Sequence, residues 1–276
     1  MPLTQVSARF FLELAVGLFV ALAVIDRRAI GAGFSRLMVA FVLAALIPAW
    51  LLARAGGATL PSECAWLAGG FLAATLLLLV SAGRLGALGE GILMALGSLA
   101  GGGALLLSVH HGLRLDEGQQ VALQLASCAA STAVLGGVTG AMIFGHWYLV
   151  TPDLPVAHLG RLTKFAALAV YGKLALLAAT IALFPDRFGE AGRSLAAIVG
   201  FDDGGASFLV KLDFLWLLAR IAVGLLGTVI LLHMTLKTIE LKATQPATGI
   251  LYAATVMVLM GELFAFVGEK SFGLVL

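Results

Sequence analysis

Residues 162–184 read LTKFAALAVYGKLALLAATIALF, an apolar run with a lysine, Lys173, near its middle. A run of this length spans the hydrocarbon core of a bilayer as a helix. A charge at the bilayer centre costs at least about 2.5–3.5 kcal/mol on insertion scales. Three further misfits, Glu13, Arg220 and Glu262, sit in other apolar runs. With a mean hydropathy of +1.06 the chain has no shortage of leucine-like positions. Four ionisable residues placed against that background point to buried pairing or a polar path.

The composition extends the same reading to the whole chain. Hydrophobic residues make up 61% of it and charged residues 12%, against roughly 25% charged in soluble domains. The sequence predicts an all-α fold, a polytopic membrane helix bundle forming a single transmembrane domain over residues 1–276. The net charge of +2 is the difference between 17 basic and 15 acidic side chains. No basic block points to nucleic acid, so the lipid bilayer is the expected partner. Cys64 and Cys128 lie in apolar surroundings without CxxC spacing and read as buried free thiols. Arg9 precedes the first apolar run, but no small-residue cleavage site follows before Asp26-Arg27-Arg28. That run therefore reads as a membrane span and not as a cleaved signal.

Eight spans follow: Phe10–Ile25, Leu37–Leu52, Ala65–Ala82, Gly91–Val109, Val121–Phe144, Leu162–Phe184, Phe208–His233 and Gly249–Val267. Gly56-Gly57 with Pro61, Thr151-Pro152-Asp153-Leu154-Pro155 and Gln245-Pro246 punctuate them. Pro48 is the one mid-span proline. One side of the bundle collects Arg27, Arg28, Arg36, Arg84, Arg161, Lys164, Lys237 and Lys242. The other collects Arg9, Arg54, Arg114, Arg187, Arg193, Lys211 and Lys270. The cluster after the first span places the first side in the cytoplasm and both termini outside, in a cell (inner) membrane. The long outer loop contains Arg193–Phe201, which reads either as a short interfacial helix ended by Asp202-Asp203-Gly204-Gly205 or as an ordered loop.

The two halves, 1–118 and 119–276, echo each other. Arg36-Leu37 and Arg161-Leu162 open spans two and six. Trp66 and Trp216 lie near the starts of spans three and seven, and Gly91-Ile92-Leu93 and Gly249-Ile250-Leu251 open spans four and eight. Four spans per half would make this a parallel repeat. The unusual polar residues concentrate in the second half.

Lys173 and Arg220 fall near the midplane, Glu262 and Glu13 in the outer half, and Asp213 nearer the outer surface. At 1.5 Å rise per residue these depths overlap within side-chain reach. The group reads as a closed ion-pair set that fixes packing, as a proton relay, or as a site for a polar head group such as a quinone carbonyl. Tyr171 is a further donor two residues before Lys173, though on a different side of its helix.

At the cytoplasmic end, His146 in Gly145-His146-Trp147-Tyr148 and His233 lie at similar depth. Two histidines on separate helices can ligate haem b from both faces, although Trp and Tyr at a span end are ordinary interfacial anchors. The adjacent His110-His111 point about 100° apart on a helix and cannot chelate one metal unaided, so no metal site is expected. Gly97-x-x-x-Gly101 and Gly136-x-x-x-Gly140 are small-residue faces for close helix approach. No soluble catalytic motif is present.

The eight-span topology and the run Gly261-Glu262-Leu263 resemble the quinone-reactive membrane anchor subunits of respiratory molybdo-enzymes, the polysulfide-reductase and dimethyl-sulfoxide-reductase type. No quinone motif carries over residue by residue. The resemblance implies an anchor subunit of a respiratory or photosynthetic electron-transfer complex, interacting with quinone or conducting protons. It also implies other membrane protein subunits in a hetero-oligomer, and enzymatic activity only as a membrane subunit of an oxidoreductase. Two alternatives stand beside it: a small secondary transporter with Lys173, Arg220 and Glu262 at a midplane site, and a purely structural membrane subunit.

Overall fold

The computed structural model describes residues 3–57, 62–112, 118–151, 154–183 and 215–272. Among them the chain is helical apart from short turns, with no strand. The helices are α1 (Leu3–Val24), α2 (Arg27–Ile30), α3 (Ala32–Ala55), α4 (Ser62–Ser81), α5 (Ala87–Gly112), α6 (Gly118–Val150), α7 (Ala157–Leu183), α8 (Leu215–Glu240) and α9 (Thr244–Phe272). Eight of them, all but α2, are long and apolar enough to cross a membrane. The chain is an all-α bundle of membrane-spanning character. The expected interfacial segment at Arg193–Phe201, Asp213, and the start of span seven lie outside the described residues.

Helices α1 and α6 form the centre. In each, 56% of the apolar window is buried, against 28% in α3, α4 and α7. Their contact is backbone on backbone. A Cβ at Gly136 would sit 1.9 Å from the Gly17 carbonyl carbon, so only glycine at both positions permits the approach. Gly140 extends the same face toward Ala21. On α5, Gly97 packs on Phe19 and Ala74, and Gly101 packs on Phe71. Pro48 leaves α3 continuous, in line with the tolerance of proline in membrane helices.

The pairings of the first four spans recur in the last four. Helix α1 packs on α3 and α5, as α6 packs on α7 and α9. Helix α4 packs on α5 and α3, as α8 packs on α9 and α7. The face carrying the α1–α3 connection is tied by Glu90, which accepts from the Gly83 N–H at 3.1 Å and pairs with Arg27 at 3.5 Å. Glu90 lies in the first turn of α5, where a carboxylate also complements the helix dipole. This is called the Arg27 face below, and the opposite one the His110 face.

One element departs from regular winding. Residues 220–227 of α8 form a π-helix. In an α-helix, residues five apart point about 140° away from each other. Bonds from i to i+5 bring them nearer one side, and Arg220, Gly224 and Leu225 are all buried.

Candidate functional site

The four misfit charges meet inside the bundle. Glu13 and Arg220 are 0% exposed, and Lys173 and Glu262 are 1% exposed. Arg220 Nη2 donates to Glu262 Oε1 at 2.9 Å. Ser131 Oγ on α6 donates to the other oxygen, Oε2, at 2.8 Å. On α1, Arg9 Nε donates to Glu13 Oε1 at 2.8 Å, and Cys128 Sγ donates to the same oxygen at 3.4 Å. The Arg9 guanidinium also lies over the Phe266 ring of α9, 5.1 Å from its centroid. Lys173 Nζ on α7 bonds the Ser127 carbonyl oxygen at 3.1 Å and the Ser127 hydroxyl. Lys173, Glu13 and Glu262 lie within electrostatic reach of one another.

One turn of α6 is therefore the hub. Ser127, Cys128 and Ser131 each engage a different charged helix: Ser127 engages α7, Cys128 engages α1, and Ser131 engages α9 with α8 behind it. Positions i, i+1 and i+4 fan across about 100° of a helix, which suits a central helix surrounded by neighbours. Sequence reasoning missed all three, because small polar residues in an apolar helix are ordinary packing residues. It also treated Arg9 as a flanking surface charge. The structure buries its side chain to 9% exposure against Glu13; the i, i+4 spacing of opposite charges was the signal available.

The α8–α9 crossing houses the arginine. Gly224 and Gly261 meet backbone to backbone, and a Cβ on Gly261 would lie 2.3 Å from the Gly224 Cα. A Cβ on either glycine would also lie 3.3 Å from Arg220 Nη1. The guanidinium thus rests on a ledge that two glycines create. Arg220 Nε and Nη1, and Glu13 Oε2, are buried without a hydrogen-bond partner. Such atoms are costly in a low-dielectric interior.

Lys173 is held differently from the arginines. No carboxylate lies within ion-pair distance of it among the described residues, and its partners are a carbonyl and a hydroxyl of one serine. An ammonium can donate to both. A neutral amine can donate to the carbonyl and accept from the serine O–H. The serine satisfies either protonation state.

Other candidates fall elsewhere. Tyr171 is 47% exposed on the outside of α7, away from Lys173. His146 and His233 are both exposed, on α6 and α8, which are separated by α7 and α9 and do not form a packed pair. His146 Nδ1 is instead 2.9 Å from the Tyr252 hydroxyl of α9. No family model matches the chain, and no curated protein matches it.

Proposed function

We propose that the chain is a proton-conducting membrane subunit in which Lys173 exchanges protons with the Glu13 and Glu262 carboxylates across the polar turn of α6. The observation that carries this is the partner set of Lys173. A lysine serving only as a counter-ion would face a carboxylate, as Arg220 and Arg9 do. One bonded to a serine carbonyl and hydroxyl can gain or lose its proton without stranding a partner. Lysine is also the cation that exchanges its proton when buried, whereas arginine stays charged.

The electron-transfer setting, with quinone as the redox partner and further subunits in the membrane, is supported by the resemblance to respiratory anchor subunits. Glu262 of the G-E-L run on which that resemblance rests bonds both Ser131 and Arg220 within the charged network. A transporter is the second reading. It is favoured by the π-helical stretch that begins at Arg220 and by the recurrence of helix pairings between the halves 1–118 and 119–276.

Proton influx into vesicles reconstituted with the purified protein, driven by a potassium diffusion potential and read by an internal pH dye, tests the first reading. Wild type should conduct. Lys173→Met and Lys173→Arg should both lose the flux, since a guanidinium does not release its proton. Wild-type flux in Lys173→Arg would leave the lysine a fixed charge and end the proposal. Gentle purification from native membranes should bring redox subunits along; a chain that purifies alone and moves a solute favours transport.

A further inference from the structure

The charged core lies toward the His110 face, and one question is how a proton reaches it from the Arg27 face. The near side is short, because Arg9 keeps 9% exposure beside Glu13. The far side is long. Ser131 and His146 are fifteen residues apart on α6, a rise of about 22 Å.

Polar groups recur along that distance on one helix pair, α6 and α9. Glu262 meets Ser131 at its inner end. Thr255 and Thr248 follow on α9, seven residues apart on the same side of the helix, both buried. Their hydroxyls donate to the carbonyls of Leu251 and Thr244 in their own helix, which leaves oxygen lone pairs free as acceptors. The Thr248 hydroxyl packs on Gly145, 2.9 Å from where a Cβ would stand, so glycine is what lets the threonine into the seam. On α6, Thr139 lies seven residues before His146 and is buried, and its hydroxyl has no partner. At the end of the pair, His146 and Tyr252 bond across α6 and α9 at 2.9 Å, and both are exposed.

We infer that the α6–α9 seam is the proton route between the Arg27 face and the charged core, with the His146–Tyr252 pair as its entry. The inference rests on the proton-conducting reading above and names a path for it. The chemistry balances without any oxidant or cofactor. With the imidazole Nδ1–H donating to the Tyr252 oxygen, Nε2 is an open base. A proton taken up at Nε2 from the aqueous side releases the Nδ1 proton to Tyr252. The tyrosine passes its own hydroxyl proton inward, and water entering the seam carries it past Thr139 and Thr255 to Glu262. The tyrosine hydroxyl is restored and one proton has moved. The imidazole is left protonated at Nε2, and exchange with bulk water at the exposed ring returns it to the Nδ1–H tautomer before the next transfer.

The test uses the same reconstituted vesicles. His146→Ala should lower proton flux on the order of 100-fold, the low end of what a positioned proton-transfer group contributes. Imidazole in the bath should restore much of it. Tyr252→Phe should lower flux without imidazole rescue, because the ring base is still present. A merely structural histidine would give a variant that no small base rescues. Full flux in His146→Ala, with flux still lost in Lys173→Arg, would overturn the seam entry and leave the core reading standing. No flux in wild type would overturn both.

Discussion

Arg220 and Glu262 are the residues whose removal separates a structural from a functional core. Breaking a buried pair by removing one partner costs about 3–5 kcal/mol, whereas replacing both with apolar groups is often near neutral. Glu262→Leu should therefore cut the amount of stable protein in the membrane, because it strands a guanidinium that already has two nitrogens, Nε and Nη1, without a hydrogen-bond partner. Adding Arg220→Leu should recover much of the yield, read by gel filtration in detergent. If the pair serves packing alone, the double variant keeps its proton flux; if it belongs to the relay, the double variant is stable and inactive. Ser127→Ala should spare yield but lower flux, since it removes the one hydroxyl that serves both protonation states of Lys173. Unchanged flux there would count against proton exchange at the lysine. The charges were legible in sequence because each is expensive in an apolar run. Ser127, Cys128 and Ser131 were not, because a hydroxyl or thiol in a membrane helix costs little when it bonds its own backbone, as Thr132 does with the Cys128 carbonyl.

At the scale of the element, glycine placement decides which helices touch. Gly261 and Gly172 both sit in apolar helices, yet alanine should act oppositely at the two sites. At Gly261 the new methyl collides with the Gly224 backbone and presses on Arg220. Overpacking of this kind typically costs about 1–3 kcal/mol, so Gly261→Ala should lower the thermal midpoint in detergent and disturb the Arg220–Glu262 pair. At Gly172 nothing lies within 4 Å of a Cβ, and Gly172→Ala should be neutral or stabilising, by up to about 1 kcal/mol. Equal effects at the two positions would mean that the α8–α9 crossing is not the close contact described. The two GxxxG runs were readable as packing faces. The Gly224–Gly261 crossing was not, because its glycines come one from each of two helices and form no local motif. Nor was the π-helical winding of residues 220–227, since the alternation of apolar and small residues there fits either helix type.

For the whole molecule, eight spans were legible because bilayer thickness imposes a length on each apolar run. The first two spans, α1 and α3, run longer than the apolar runs alone, over Leu3–Val24 and Ala32–Ala55, because polar residues near a span end can sit in the headgroup layer or pair inward. The side on which each end emerges follows from the distribution of lysine and arginine. Arg9 drops out of that comparison, since it is an interior ion pair and not a flanking charge. Its removal strengthens the bias toward the Arg27 face, where Arg27 itself is tied to Glu90 and Lys237 and Lys242 flank the end of α8. Both termini are then expected outside, with Leu241 facing the cytoplasm and Ala55 facing out. Both positions are exposed, while Cys64 and Cys128 are buried, so single introduced thiols report cleanly. In intact cells an impermeant maleimide should modify Ala55→Cys and spare Leu241→Cys, which should react only after the membrane is opened. The reverse pattern would invert the bundle. It would also turn the His146–Tyr252 end outward, making the α6–α9 seam an entry from outside the cell.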